Sequence, residues 1–180
     1  MNNEDFFAAW DVRINNSIEL TEDECRLADI RGKKKYDEAV KAGKKDKYGF
    51  NGNPLAIHCQ GERGELAASK FLGIEYEFRC NEYKNGLADL GDDIEVRTKT
   101  YDGKMIVRHD DHDNRKYVHV VPVGISDATG CHRKFHIKGW AFGRDCMKRE
   151  YLGSPDPKRP PCYNIPDELL RPIGELVQHG

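Results

Sequence analysis

The chain reads as an α+β protein in which helices flank a mixed central β-sheet, and three observations predict this. Between residues 21 and 73, apolar residues recur at helical spacing between recognisable start and stop signals. From residue 74 onward the period changes to alternation, broken by polar turns. The order is helix, helix, a run of strands, then a short helical piece, which suits helices packed on one sheet.

Residues 1 to 16 carry Phe6, Phe7, Trp10, Val12 and Ile14, which predict a short helix docking on the body. Thr21 followed by Glu24 forms a capping box, and Gly43 suits the exit of the helix it starts. Leu20, Cys25, Leu27, Ile30, Tyr36 and Val40 make a thin apolar stripe interrupted at Gly32, so this helix is expected to lie mostly on the surface. Its lysines at 33 to 35, and those of KAGKKDK, read as a solvated face, with a phosphate-contacting arm as the alternative. PLAIHCQGERGELAASKFLG is a second helix, with Pro54 in its first turn and Gly73 at its end. Its Ala67, Ala68 and Ser69 allow close approach to a sheet.

Strands are expected at IEYEFRC, GLADL, DIEVRTKT, KMIVRHD, RKYVHVVPV and KFHIKGWAFG, with DDHDN as the turn of a hairpin. RDCMKREYL is a brief helical piece. The Pro-rich GSPDPKRPPCYNIPDELLRPI is expected to drape over the body and end in a short helix at PDELL. One domain over 1–180 is expected: an N-terminal helical extension (1–50), a core (54–150) and a Pro-rich tail (151–180).

The charge balance excludes a bulk basic footprint. The net charge is −2 and the pI about 6.4, so contact with nucleic acid must come from local clusters. No run of eighteen apolar residues occurs, and MNNEDFFAAWDV lacks the features of an export signal. Six scattered cysteines without a CxxC pair fit reduced thiols in a cytoplasm.

The chemistry concentrates in LADLGDDIEVRTKT. Residues two apart in a strand share a face, so Ile94, Val96 and Thr98 point into a core while Glu95, Arg97 and Lys99 point the other way. Gly91 lets the chain fold back, so that Asp89 reaches the same end of the sheet as Glu95. Carboxylates so placed suit Mg²⁺ or Mn²⁺, which take hard oxygen ligands and keep waters for chemistry. Asp92 and Asp93 are expected turn residues, with Asp93 as a backup ligand.

GERGELAASKFLGI, then LADLGDDIEVRT, then a hairpin and GWAFGRD resemble the PD-(D/E)XK, or restriction-endonuclease-like, nuclease superfamily, and more narrowly its small phage proteins. The resemblance covers residues 55 to 173. It implies a restriction-endonuclease-like fold and a hydrolase that cuts DNA phosphodiester bonds with Mg²⁺ or Mn²⁺. By the family pattern Asp89 is the first acid, Glu95 the second, and Glu65 the helix glutamate, for which Glu62 stands in one turn earlier; Glu65, Asp89 and Glu95 would hold the metal. Arg97 occupies the lysine slot. Arginine stays protonated at any working pH, so Arg97 cannot be a general base and is expected to clamp a phosphate or orient water, with Lys99 on the same face as the alternative. The alternative is an inactive relative that binds nucleic acid or a host protein. The resemblance further implies a possible homodimer, no membrane, and the host cytoplasm if the chain is phage-encoded.

Other clusters have plainer readings. RHDDHDNRKYVH is expected to be a hairpin tip, and Trp140 a core aromatic. Cys131, His132 and His136 offer an incomplete zinc set as a weaker alternative. Arg133, Lys134 and Lys138 form a basic patch, either for a DNA backbone or to protect a strand edge.

Overall fold

Thr21 starts the first long helix as its spacing predicts. Its hydroxyl accepts from the Glu24 amide at 3.2 Å while the Glu24 carboxylate accepts from the Thr21 amide at 2.6 Å. In this computed structural model, which describes residues 16–43, 52–77, 86–154 and 160–177, that helix is α1 (Glu22–Lys41). A short strand, β1 (Ser17–Glu19), precedes it. The second helix, α2 (Pro54–Leu72), has Asn53 as its side-chain cap and a left-handed Gly73 at its end. Then come β2 (Ile94–Thr98), β3 (Met105–Arg108), β4 (Lys116–Val123), β5 (Lys134–Phe142), a single-turn α3 (Gly143–Cys146), β6 (Leu152–Gly153) and β7 (Cys162–Ile165). The fold is α+β.

The strands form two sheets where one was expected. A mixed four-stranded sheet runs β1-β5-β4-β2, with β2 parallel to β4 and the other pairs antiparallel. β3 does not form a hairpin with β4, because both edges of β4 are already taken by β2 and β5. Instead β3 joins β7 and β6 in a small antiparallel sheet. The Pro-rich tail therefore supplies a strand, which its composition concealed, and PDELL holds only a 3₁₀ turn at Asp167–Leu169. RDCMKREYL divides into α3 and a 3₁₀ turn at Arg149–Tyr151.

Two other strand expectations fail. Residues 86–90 form a turn with one bridge from Leu90 to Ile94, and 74–77 belong to no strand, the Ile74 amide donating back to the Ser69 carbonyl at 3.1 Å. The rest of IEYEFRC, the N-terminal helix and most of KAGKKDK lie outside the described residues.

Alternation on β2 to β5 divides the interior in two. Ile94, Val96, Val118, Val120, Phe135, Ile137 and Trp140 pack toward α2 through Ala67, Ala68 and Leu72. Tyr117 and Ala141 face the other way, onto Met105, Val107 and Ile165 of the small sheet. α1 is mostly exposed, with Ile30 at 68% and Val40 at 58%. Its interruption at Gly32 is its closest contact: a Cβ there would come 2.6 Å from the Cys59 Cα. No helix among the described residues is long and apolar enough to cross a membrane.

One glycine sets the distance between helix and sheet. A Cβ on Gly64 would collide with the side chain of Thr98, so α2 can lie against β2 only because Gly64 has none. Gly64→Val is expected to cost about 1–3 kcal/mol by overpacking. A urea midpoint unchanged from wild type would refute that contact.

Candidate functional site

α2 crosses closely over the Ile94, Val96 and Thr98 face of β2, and the helix acids lie on that side of the sheet. Glu62 and Glu65 lie one turn apart on α2. Glu62 is buried and paired with Lys35 of α1, whose ammonium also stands 3.4 Å from Glu65. The Tyr76 hydroxyl donates to Glu62 and lies 3.4 Å from Glu65, and the Arg31 guanidinium covers its ring at 4.7 Å. Lys35 was expected on a solvated face. It is instead half-buried, and although desolvation disfavours its charge, Glu65 and Glu62 hold the ammonium more firmly protonated than usual.

Across from this group, β2 presents Glu95 and Arg97. Gly91 takes a left-handed φ of 54°, and the reversal it permits lays the segment before it along the outer edge of β2. There Asp89 accepts a hydrogen bond of 2.8 Å from the Val96 amide. Glu95 accepts from Arg115, which also donates to the carbonyls of Gly86 and Leu87. Arg97 pairs with Asp111 at 2.8 Å, lies 3.5 Å from Glu95 and covers the Tyr117 ring at 4.9 Å.

Asp89 is the electrostatic hub between the two groups. The Glu65 carboxyl is pushed well above the usual range, by desolvation first and then by Asp89 and Glu62 against the pull of Lys35. Glu95 is raised too, by desolvation and then Asp89, in spite of Arg97 and Arg115. Arg97 is desolvated, yet Asp111, Glu95 and Asp89 together keep it charged. The acids Glu62, Glu65, Asp89, Glu95 and Asp111 thus stand among the cations Arg31, Lys35, Arg97 and Arg115.

Asp89 acts on both groups, but Glu65 stands on the α2 side of β2 while Glu95 and Arg97 lie on the opposite face with Tyr117, and Lys99 joins neither group. The Lys99 ammonium sits over the Tyr101 ring at 4.9 Å and contributes to the field at His119. Asp93, the backup ligand, pairs with Lys116 at 2.8 Å. Carboxylate oxygens are the donor type a hard divalent cation takes. The acids do not close around one point, however: among the described residues no group of three or more His, Cys, Asp or Glu side chains is placed to hold a metal ion.

Sequence reasoning missed Lys35, Tyr76, Arg115 and Asp111. Only Asp111 carried a signal, as an acid between β3 and β4. Of the weaker zinc set, Cys131 is buried and donates to the Ala56 carbonyl at 3.4 Å, and the His132 amide donates to Gln60 at 2.8 Å. In the basic patch, Lys138 is tied at 2.7 Å to both Asp102 and Asp167, and Arg133 reaches the Leu20 carbonyl at 3.4 Å. Trp140 is a core aromatic, 3% exposed.

The raised Glu65 carboxyl gives stability a definite pH dependence. The folded chain holds this proton more tightly than the unfolded chain, so stability falls as pH rises through and above the ordinary carboxylate range. In cation-free buffer Glu65→Gln is therefore expected to melt higher than wild type near about pH 8 and to lose that advantage near about pH 4. Parallel melting curves of the two proteins across pH would refute the crowding.

Comparison of the chain with protein-family models, with curated proteins and with solved structures gives no match.

Proposed function

We propose that the chain is a divalent-cation-dependent phosphodiesterase of the PD-(D/E)XK type that cuts DNA. The observation that supports this reading most is that Asp89, capping the Val96 amide at the edge of β2, adds to the desolvation that raises the carboxyls of both Glu65 and Glu95. Acids from a helix, a turn and a strand gathered about one acidic turn residue are what a metal-dependent hydrolytic site requires of a chain. Asp89 and Glu95 would hold Mg²⁺ or Mn²⁺ with Glu65 alongside. Bound there, the cation would acidify a water and offset charge building on the phosphate.

The chain's own groups then have distinct parts. Arg97, charged and pinned between Asp111 and Glu95, holds positive charge for a phosphate oxygen but accepts no proton. Lys35 and the Tyr76 hydroxyl both hold the Glu62 carboxylate in place. Arg115 must yield Glu95 for the site to load, so cation and Arg115 compete for one carboxylate.

That competition favours a second reading. With Glu95 held by Arg115 and an arginine in the lysine slot, the chain would be a non-cutting relative that binds nucleic acid or a host protein. Incubating purified protein with plasmid and single-stranded DNA in Mg²⁺ or Mn²⁺, beside Glu95→Ala, separates the two. Cleavage by wild type alone supports the enzyme. Equal cleavage by both, or none by either, removes it. Calorimetry that shows no uptake of divalent cation at millimolar levels, together with binding to a partner, favours the second reading.

A further inference from the structure

The GWAFGRD segment has no part in the acid site, yet it builds a cleft beside it. A cavity of about 340 Å³ opens at the end of β5, lined by Ala141, Phe142, Arg144, Asp145, Leu169 and Arg171. Two guanidiniums share one aromatic ring there. Arg144 lies over Phe142 at 4.4 Å and Arg171 at 5.6 Å, and Arg171 also covers Trp140 at 4.9 Å. Trp140 and Phe142 are themselves locked edge to face at 4.8 Å. Rings hold a guanidinium by its face and leave its donor edge available, so the fork is set in advance for a planar or tetrahedral oxyanion.

These two arginines differ from those of the acid site. Arg97 and Arg115 are each ion-paired with a carboxylate. Arg144 has no carboxylate within ion-pair distance among the described residues, and Arg171 has only Glu175 at 3.7 Å, on the solvent side with both side chains about half exposed. Asp145 is the single acid in the lining, which leaves the cleft positive.

Register places the cleft at the same end of the sheet as the acids. Ile94 at the start of β2 lies beside Lys116 of β4, and Lys116 beside Phe142 of β5. Two strand spacings, roughly 10 Å, thus separate β2 from the cleft wall. The connection is also direct. The Arg144 amide donates to the Asp113 carbonyl at 2.7 Å and the Gly143 amide to the Arg115 carbonyl at 2.8 Å, while the Arg115 side chain grips Glu95.

We infer that the Arg144–Phe142–Arg171 cleft binds a backbone phosphate of the nucleic-acid strand, a few nucleotides from the phosphate that faces Asp89. The inference rests on the proposed phosphodiesterase reading for the identity of the polymer, but its test does not depend on cleavage. A short fluorescein-labelled DNA strand is titrated with protein in EDTA across a salt series and followed by anisotropy. Arg144→Ala and Arg171→Ala are each expected to weaken binding roughly tenfold. The double variant is expected to lower the slope of log affinity against log salt by about 1.5. Arg26→Ala removes a charge from exposed α1 and leaves both quantities unchanged, and Arg144→Lys keeps the charge with a smaller loss. Inorganic phosphate added as competitor displaces the strand if phosphate chemistry is what the cleft reads.

No binding by wild type, or equal binding by wild type and the double variant, overturns the inference. A cleavage assay run in parallel with Mg²⁺ judges the phosphodiesterase reading separately, since a wild type that cuts while the double variant binds normally would sink the cleft and spare the acids.

Discussion

Asp89→Asn is expected to lower divalent-cation-dependent DNA cleavage by about two to three orders of magnitude while leaving the chain folded. The amide oxygen of asparagine can still accept from the Val96 amide, so the edge of β2 keeps its cap. What disappears is the charge that couples the two acid groups. In EDTA the variant is expected to melt at or above the wild-type temperature, because Glu65 and Glu95 lose their shared repulsive neighbour. Adding Mn²⁺ should raise the wild-type melting temperature, by about 2.7 kcal/mol of linkage at a hundredfold excess over the dissociation constant, and raise that of Asp89→Asn far less. Melting in EDTA and in Mn²⁺ checks both halves. A variant as strongly stabilised by the cation as wild type would place the ion elsewhere.

Arg63→Ala carries the largest expected cost to stability. Arg63 is 2% exposed, and its guanidinium is fully engaged. Nε and one terminal nitrogen donate to the two oxygens of Asp29 at 2.8 and 2.7 Å, and the other donates to Asp127 at 2.6 Å and to the His132 carbonyl at 3.1 Å. One side chain of α2 thereby ties down α1 and the loop entering β5. Truncation strands two acids and opens a cavity beside the Gly32 crossing, so a loss of about 3–5 kcal/mol is expected. That is a large share of the 5–15 kcal/mol typical of a domain. Arg63→Lys should recover little of it, since an ammonium cannot bridge Asp29 in bidentate fashion. The pH dependence offers a second check. Hydrogen bonds from Thr129 and Arg63 outweigh desolvation and hold the Asp127 carboxyl down at about 2. Its contribution is therefore present above the unfolded value near 4 and lost as pH falls from there toward 2. Urea midpoints over that range should show a shallower acid loss in Arg63→Ala than in wild type; identical slopes would contradict the pairing.

Arg63 also marks a limit of sequence reading. It stands between Glu62 and Glu65 in GERGEL, and nothing in its spacing distinguishes a buried tether from a surface base. Its partners lie 34 and 64 residues away along the chain. The same holds at Lys35 and Arg115, which determine whether the helix and strand acids are neutralised or left to crowd. Ion pairs between distant segments have no period and no local composition, so no pattern in the chain announces them.

The sheet arrangement was hidden for a related reason. β3, DDHDN and β4 have the look of a hairpin, because alternation and turn chemistry are local properties. Which strand pairs with which depends on competition for edges, and β2 and β5 take both edges of β4. The displaced β3 then recruits a strand from a tail whose prolines had suggested a drape.

By itself the sequence determined the two helices with their caps and stops, the turn at Gly91, and the one-faced loading of β2 with Glu95 and Arg97. Each of these follows from side-chain period and backbone preference over a few neighbouring residues. Only the tertiary structure decided that Asp89 acts on both Glu65 and Glu95, that Lys99 joins neither group, and that Arg144 and Arg171 meet over one ring. Those outcomes depend on close approach, Gly64 against Thr98 above all, and on charges brought together by the fold from positions far apart in the chain.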